Sequence, residues 1–314
     1  MSTPFVSVIV PNYCHAQFLD ERINSILSQT YENYEIIILD DCSPDNGASK
    51  FVIEKYRKNS HVSQIVYNEV NTGSPFVQWE KGLELAKGEI VWIAESDDSC
   101  KSTFLEELLD SYLKSDAVLA FCRSIRMDEK SRTFETFGMQ DKLKHSFVMD
   151  GAEFNGKYMS VVNSVMNASS AIFSRKAALR LNKQYMFFKG SGDWLFWIEI
   201  AENGKVCFLD RNLNFFRKHG TNTTERTIRE GSNILENKRV FDYLVDRKMV
   251  NRRQIIRRKL FSIEFIRNSF PHLDEGKRKE YLAQWGYTGF FIPVFHVLYL
   301  FKRIKRRLDR INNK

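Results

Sequence analysis

The sequence predicts an α/β protein whose mainly parallel sheet is flanked by helices and followed by a helical, basic C-terminal region. Strand-like apolar runs alternate with helix-like spacing over residues 5–98, and this alternation is typical of parallel sheets. The composition, with 43% apolar and 27% charged residues, is that of a globular protein. The charge is uneven: residues 238–314 hold 20 Lys and Arg against 7 Asp and Glu, whereas residues 1–237 hold 27 against 32.

Four short apolar runs in the first third of the chain are predicted strands. They are rich in β-branched side chains, which favour strands, and they cover residues 5–11, 34–39, 62–67 and 90–94. Between them, apolar side chains recur at helical spacing, which predicts helices over residues 19–29, 50–59 and 77–87. Gly88 ends the third helix.

The second half of the chain has a less regular pattern. We predict strands at residues 117–122 and 169–173, and a loop or hairpin region over residues 124–150. From about residue 233 the pattern changes to helices rich in Arg and Lys, which places a boundary near residues 225–235. We therefore expect two parts, a domain of residues 1–230 and a C-terminal region of residues 231–314.

Cysteine usage and the N-terminus indicate a cytoplasmic protein. The chain has five cysteines, an odd number, without C-x-x-C spacing, so neither a disulfide framework nor a thiolate zinc site is indicated. The N-terminal residues have no basic segment followed by an apolar one, as a secretory signal would. We also expect no transmembrane helix, because no apolar run reaches the length of about 18 residues.

Carboxylates cluster where three of the predicted strands end. The first strand ends at Pro11-Asn12-Tyr13, the second at Asp40-Asp41 and the fourth at Asp97-Asp98. Ligands of open α/β sheets bind outside the carboxyl ends of the strands. Paired carboxylates there suit a divalent cation or ribose hydroxyls. Either pair alone could instead be turn or helix-capping residues.

Two common nucleotide-binding motifs are missing from the sequence. The first strand is not followed by G-x-G-x-x-G, and the chain contains no G-x-x-x-x-G-K-[ST]. A dinucleotide-binding domain and a P-loop NTPase are therefore disfavoured. A nucleotide held by carboxylates and a metal remains compatible with the sequence.

Several segments resemble family 2 glycosyltransferases over about residues 5–220. Residues 6–13 (VSVIVPNY), 25–31 (SILSQTY) and 35–43 (EIIILDDCS) resemble the opening of that family. Residues 82–90 (GLELAKGEI) followed by 95–98 (ESDD) resemble the stretch that leads into its D-x-D-type motif. The resemblance implies a Rossmann-like GT-A fold, a nucleotide-sugar donor, a divalent metal (Mn²⁺ or Mg²⁺) and inversion at the anomeric carbon.

The resemblance also implies roles for individual residues at the strand ends. Pro11 and Tyr13 would line the base and ribose pocket, and Asp41 would accept a hydrogen bond from the base, most often uracil. Asp97 and Asp98 would face the ribose, the metal and the diphosphate, so Asp97 would bind the nucleotide as well as the metal. The implied metal ligands are Glu95, Asp97, Asp98 and His219.

Two later segments carry further implied roles. Residues 190–194 (GSGDW) resemble the family motif in which an Asp precedes an aromatic-rich helix, so Asp193 would be the catalytic base. Its aromatic neighbours could exclude water or stack on a sugar. Residues 217–219 (RKH) resemble the R-x-H segment near the diphosphate. The alternatives are a helix N-cap for Asp193 and an ordinary loop histidine for His219.

The chain departs from the family pattern at two of these places. Glu95 stands where the first Asp of D-x-D is usual. Trp79-Glu80 stands where many relatives have Arg-Asn, so a cation that could face the diphosphate is missing unless Lys81 or Arg217 replaces it. The middle of the chain matches relatives poorly, which leaves the acceptor site open.

The C-terminal region suggests contact with a membrane surface. Residues 287–301 (YTGFFIPVFHVLYLF) contain no Lys, Arg, Asp or Glu, and KRIKRR follows at once. Aromatic side chains beside basic ones suit the interface of an anionic membrane. The alternative is a helix packed on the catalytic domain with a solvated, charged end. Nucleic-acid binding is disfavoured, because no nucleic-acid module is recognisable.

The sequence therefore predicts an inverting glycosyltransferase at the cytoplasmic face of the membrane. It would move a sugar from a nucleotide donor to a hydroxyl of a growing surface glycan or lipid-linked oligosaccharide. One alternative is a nucleotidyltransferase, but residues 12–15 (NYCH) do not form the Gly-rich, basic loop that holds a triphosphate. The other is a non-catalytic glycan- or membrane-binding protein of the same fold.

Overall fold

A computed structural model describes residues 3–134, 143–220, 227, 230–269, 273–289 and 291–312, with side chains up to residue 301. Within these residues one sheet contains ten strands. In chain order they are β1 (Val6–Asn12), β2 (Tyr34–Asp40), β3 (Val62–Tyr67), β4 (Ile90–Ile93), β5 (Ser99–Cys100), β6 (Ala117–Met127), β7 (Thr133–Phe134), β8 (Phe147–Asp150), β9 (Ala171–Ser174) and β10 (Lys205–Arg217).

Helices separate most of these strands. Those of residues 1–223 are α1 (Ala16–Leu27), α2 (Ala48–Glu54), α3 (Pro75–Leu85), α4 (Phe104–Ser115), α5 (Gly151–Phe154), α6 (Arg175–Ala178) and α7 (Gly192–Ala201). They are followed by α8 (Ser232–Asp246), α9 (Arg252–Ser269), α10 (Glu275–Gln284) and α11 (Phe291–Asn312). None of the helices that the structure describes is long and apolar enough to cross a membrane.

The sheet confirms the predicted α/β class and is mixed in its second half. Its order is β3-β2-β1-β4-β9-β6-β10-β5, with β7 paired to β6 and β8 paired to β10. The pairs among β3, β2, β1 and β4 are parallel, as predicted. Strand β9 then runs antiparallel to both β4 and β6, and β10 runs parallel to β6. Strands β1, β2, β3, β4, β6 and β10 therefore all point the same way, and their carboxyl ends share one edge.

Several elements differ from the prediction in the less regular half of the chain. Strand β6 continues to Met127, five residues past the predicted end. The region expected to be a loop or hairpin contributes the end of β6 and the short strands β7 and β8. The longest strand, β10, has no clean apolar alternation (KVCFLDRNLNFFR), because its irregular pairing with β6 resets the side-chain direction more than once.

The core lies on both faces of the parallel strands. Val8 and Ile36 belong to a fully buried cluster with side chains of α1, α2 and α4. On the opposite face α3 approaches β1 so closely that a Cβ on Gly82 would lie 2.4 Å from Cγ2 of Ile9. Glycine at this position therefore sets how tightly α3 packs on the sheet.

The chain divides into two compact units, residues 1–223 and 224–314. The first unit contains the sheet. The second is helical and has its own apolar core, which includes Phe241, Ile263, Trp285 and Phe295. Part of the predicted boundary region lies outside the described residues, and the division into a catalytic and a C-terminal domain stays a prediction.

Candidate active site

The predicted acidic segment lies beside the end of β10. It leaves β4 at Ala94 and re-enters the sheet as β5, where Ser99 and Cys100 pair with Phe215 and Asn214 of β10. This short pairing holds residues 95–98 next to Arg217 and His219. The end of β1 reaches the same edge, because β1 and β4 are hydrogen-bonded neighbours.

Three side chains from three strand ends form a group that can hold a metal ion. His15 precedes α1, Asp97 follows β4, and His219 follows β10; one ligand atom of each lies within 4.8 Å of the other two. His219 Nε2 is 2.8 Å from Asp97 Oδ2, and the two imidazole rings are 5.2 Å apart in an edge-to-face arrangement. His15 is also tied to the acidic loop by a 2.9 Å hydrogen bond with Ser96.

The electrostatics of this group favour a cation. Burial alone would raise the pKa of Asp97, but the hydrogen bond from His219 and the nearby imidazoles outweigh it and lower the pKa. Burial lowers the pKa of His15 against the attraction of Asp97, so its imidazole is neutral at pH 7. One carboxylate and two imidazoles are a donor set that fits a divalent first-row ion.

Asp98 points in a different direction from Asp97. Its Oδ1 accepts the backbone N–H of Arg217 at 3.0 Å, and its Oδ2 accepts Asn167 Nδ2 at 2.9 Å and Ser169 Oγ at 2.6 Å. Burial, with repulsion from Asp97, raises the pKa of this carboxyl group. Asp98 therefore joins the acidic loop to β10 and to residues 167–169, and its role as a metal ligand stays a prediction.

Trp79 and Glu95, two residues that depart from the family pattern, contact each other. The indole N–H of Trp79 on α3 donates to Glu95 Oε1 at 2.9 Å. Burial and the charges of Asp97 and Asp98 raise the pKa of Glu95 to about 8. A neutral donor on α3 thus faces a carboxyl group that is largely protonated at pH 7.

Arg217 is a buried residue that links several elements of the fold. Its guanidinium is fully buried, with the carbon 4.6 Å from the centre of the Phe18 ring. It donates to the backbone oxygens of Asp97 and Asp128 and to the carboxylate of Glu21. These contacts hold the acidic loop against α1 and β6, and the proposed contact of Arg217 with a diphosphate stays a prediction.

Asp41 organises the loop between β3 and α3. Its buried carboxylate accepts five donors, namely Asn68 Nδ2, Asn71 Nδ2, Thr72 N, Thr72 Oγ1 and Gln78 Nε2. Lys81 contacts this network through Asn68, because its ammonium group donates a hydrogen bond to Asn68 Oδ1 at 2.5 Å. A carboxylate offers about four lone-pair sites, so a base that bonds to Asp41 must share or displace one of these donors.

The other predicted nucleotide contacts lie at the ends of β1 and β2. Pro11 is buried in β1 opposite Leu39, and Tyr13 just beyond it is 43% exposed. Asp40 is occupied by the protein, since its Oδ1 accepts Asn12 Nδ2 and Ser43 Oγ, both at 2.7 Å. Of these side chains, Tyr13 is the most open to a ligand.

Asp193 lies in the first turn of α7, on a different element from the carboxylates described above. The N-cap residue is Ser191, so the alternative assignment of Asp193 as the N-cap is wrong. Its Oδ2 accepts Asn163 Nδ2 at 2.8 Å, and the side chain is partly exposed. Gly192 serves packing, because a Cβ there would lie 2.5 Å from the backbone oxygen of Tyr185.

The aromatic residues after Asp193 belong to the core. Trp194, Phe196 and Trp197 are at most 3% exposed. Phe196 and Trp197 pack edge-to-face or tilted against Trp79 and Phe173. They anchor α7 in the core, and the stacking on a sugar that was the second possibility for them does not fit their burial.

Sequence reasoning missed two residues of this region. His15 gave a signal, since it follows β1 at the edge where the acidic loops meet. Arg22 also gave one, because it is a charged residue on the apolar side of α1. Its guanidinium is fully buried 4.8 Å from the centre of the Trp92 ring, where its charge partly offsets the rise in the pKa of Glu95 and of Asp98.

The fold and this edge together define a GT-A-type glycosyltransferase. Six strands share one direction, and the acidic loop after β4 meets the end of β10 beside a group suited to a divalent ion. Residues 7–179, more than half of the chain, match the profile described as glycosyl transferase family 2. The chain belongs to this family, which confirms the predicted family, fold and enzyme class.

Curated relatives match parts of the chain. TuaG of Bacillus subtilis is 33% identical over 118 residues, which are 38% of this chain and 46% of TuaG. The poly(ribitol-phosphate) β-N-acetylglucosaminyltransferase TarP of Staphylococcus aureus is 38% identical over 67% of this chain and 62% of TarP. The chain thus matches about half to two thirds of the length of these relatives.

Two solved structures share the fold at low sequence identity. S. aureus TarS 1-349 in complex with UDP-GlcNAc has a TM-score of 0.58 and 19% identity, covering 90% of this chain and 71% of that one. The mannosyltransferase PcManGT of Pyrobaculum calidifontis in complex with GDP-Man and Mn²⁺ has a TM-score of 0.56 and 14% identity, covering 91% and 85%. The likeness extends beyond the segment that matches the family profile.

Proposed function

We propose that the chain is an inverting glycosyltransferase that moves a sugar from a UDP-sugar to a hydroxyl of a cell-envelope glycan or lipid-linked oligosaccharide. TarP, a relative at 38% identity, is named for the transfer of N-acetylglucosamine to poly(ribitol-phosphate), and TuaG is named for teichuronic acid biosynthesis. The observation that carries the proposal is the His15–Asp97–His219 group at the edge where the family binds its donor. The five free cysteines suit a cytoplasmic reaction.

We place the metal ion on Asp97, His219 and His15, and expect Mn²⁺ to fit better than Mg²⁺. Mg²⁺ prefers oxygen ligands in a strict octahedron, whereas two of the three donors here are imidazole nitrogens. A divalent ion bound there would neutralise charge on the departing diphosphate. Asp98 and Arg217 hold the loop that carries Asp97 in place.

The donor would lie along the carboxyl ends of β1, β2 and β4. Tyr13 is exposed there and offers a ring for a base or ribose. Asp41 holds the Asn68–Thr72 loop beside this place, with Lys81 behind it. The nucleotide would therefore meet a loop whose shape depends on one carboxylate.

Asp193 is the proposed general base. It belongs to α7, away in sequence from the donor-binding loops, and is partly exposed. The hydrogen bond from Asn163 fixes one carboxylate oxygen. An acceptor hydroxyl attacks slowly unless its proton is removed as the new bond forms, and such assistance is worth about 10²–10⁴ in rate. In-line attack at the anomeric carbon would invert its configuration.

A donor screen by nucleotide release tests the proposal. The purified chain is incubated with UDP-, GDP- and CDP-sugars and Mn²⁺, alone and with candidate polyol-phosphate acceptors. We expect release of UDP from one UDP-sugar, and Asp193→Asn should lower turnover by at least about a hundredfold without changing UDP affinity. Glu153→Gln is the matched control, an exposed carboxylate of α5. If Asp193→Asn retains turnover and Glu153→Gln loses it, the base has been assigned to the wrong residue.

A further inference from the structure

Helix α11 presents two different faces. One face, formed by Phe291, Phe295 and Tyr299, packs into the core of the second unit, and Phe295 is only 1% exposed. These three residues recur every fourth position, which places them on one side of the helix. This side of α11 therefore packs within the helical second unit, and packing on the catalytic domain stays a prediction.

Away from this packed side, the described side chains of α11 are apolar and open to solvent. Ile292, Val297, Leu300 and Phe301 are 36%, 55%, 59% and 65% exposed. Pro293 and His296 are the other exposed residues of this stretch, and residues 281–301 contain no Asp, Glu, Lys or Arg. A helix face in contact with water normally carries charged side chains. We therefore expect this apolar face to be covered by another surface.

The charge of the residues after Phe301 indicates which kind of surface covers the exposed face of α11. The sequence after Phe301 reads KRIKRRLDRINNK, with seven Lys and Arg against one Asp. Apolar residues continue at helical spacing there, at Ile304, Leu308 and Ile311. The side chains of this stretch lie outside the described residues, but the excess of positive charge in residues 238–314 is a property of the sequence. It attracts anionic headgroups and repels a second copy of the same chain.

We infer that the exposed face of α11 lies in the interfacial layer of a membrane that contains anionic lipids. The helix has 22 residues, so it is about 33 Å long. An exposed apolar face followed by basic residues suits a helix lying on the surface, with its apolar side chains among the acyl chains and its basic side chains near the headgroups. This contact would hold the enzyme at a membrane and is independent of the transfer reaction proposed above.

Vesicle flotation of the full chain tests this inference. The probe vesicles contain equal parts of phosphatidylcholine and phosphatidylglycerol, and pure phosphatidylcholine vesicles are the reference. We expect the chain to float with the anionic vesicles and to lose affinity as salt rises. The double variant Leu300→Ser/Phe301→Ser should bind these vesicles at least about tenfold more weakly, because it removes apolar area from the inserted face. Phe187→Ser, at a 78% exposed position of the first unit, is the matched control.

A charge variant separates the electrostatic contribution to membrane binding from the apolar contribution. Lys305→Gln/Arg306→Gln/Arg307→Gln should weaken binding to anionic vesicles by about a hundredfold, roughly fivefold for each charge removed. Circular dichroism and thermal melting check that each variant keeps its fold, as expected for the exposed Leu300 and Phe301. The inference is overturned if the full chain stays with the aqueous fraction. It is also overturned if Leu300→Ser/Phe301→Ser floats like the wild type, or if that variant converts an oligomer into a monomer, since a second copy would then cover the face.

Discussion

Replacing Asp41 by alanine should weaken both the fold and the nucleotide site. Five donors converge on its carboxylate, but Asn71 and Thr72 are exposed and can turn to water after the replacement. Gln78 is only 2% exposed, whereas Asn68 is partly buried and can reach water. A buried donor left without a partner costs about 1–3 kcal/mol. The loss of the partner of Gln78 therefore lowers the free energy of unfolding by about 2 kcal/mol, which for a domain of this size is a fall of about 4–8 °C in melting temperature.

The assay combines thermal melting with calorimetric titration of UDP. We expect UDP affinity of Asp41→Ala to fall by about 1–3 kcal/mol, the range for a lost hydrogen bond to a charged group. Asp45→Ala is the matched control. It removes a carboxylate of the same region whose described hydrogen bonds come from Ser49 alone, and should cost about 1 kcal/mol of stability. Wild-type melting of Asp41→Ala with lost UDP binding would instead show that the carboxylate serves the base and not the loop.

Two further replacements test other parts of the site. Arg217→Lys should lower the free energy of unfolding by about 3 kcal/mol, since it breaks a buried, paired guanidinium; normal melting with weak UDP binding would instead place Arg217 at the diphosphate. Gly192→Ala should cost about 1–3 kcal/mol in urea unfolding, because its Cβ would meet the Tyr185 backbone and the Phe76 ring. Wild-type stability of Gly192→Ala would show that α7 can move away from these neighbours.

The first half of the fold could be predicted from the sequence because its strands are continuous apolar runs between helices. Strands β1 to β4 lie within a few residues of the predicted positions. Strand β10 was not predicted, because polar residues interrupt its apolar pattern where its register with β6 shifts. Periodicity carries no information about such irregular pairings.

For the candidate site, the strand-end rule led to the acidic loop but could not give the direction of each side chain. Asp97 and Asp98 are adjacent in sequence, yet Asp97 faces two imidazoles and Asp98 faces Asn167, Ser169 and the backbone of β10. That difference depends on the pairing of β5 with β10, which is a contact between distant residues. His15 reaches this group through its hydrogen bond with Ser96, 81 residues away in the sequence, so it could not be assigned from its own neighbourhood.

The central claim, that Asp97 and its two histidines bind the metal that supports donor binding, is tested most directly by calorimetric titration of UDP with and without Mn²⁺. For the wild type we expect Mn²⁺ to strengthen UDP binding by at least about tenfold, or 1.4 kcal/mol. Asp97→Asn should abolish this gain, because it removes the one carboxylate of the proposed metal site. UDP affinity that does not change with Mn²⁺ in the wild type, or an undiminished gain in Asp97→Asn, would contradict the account.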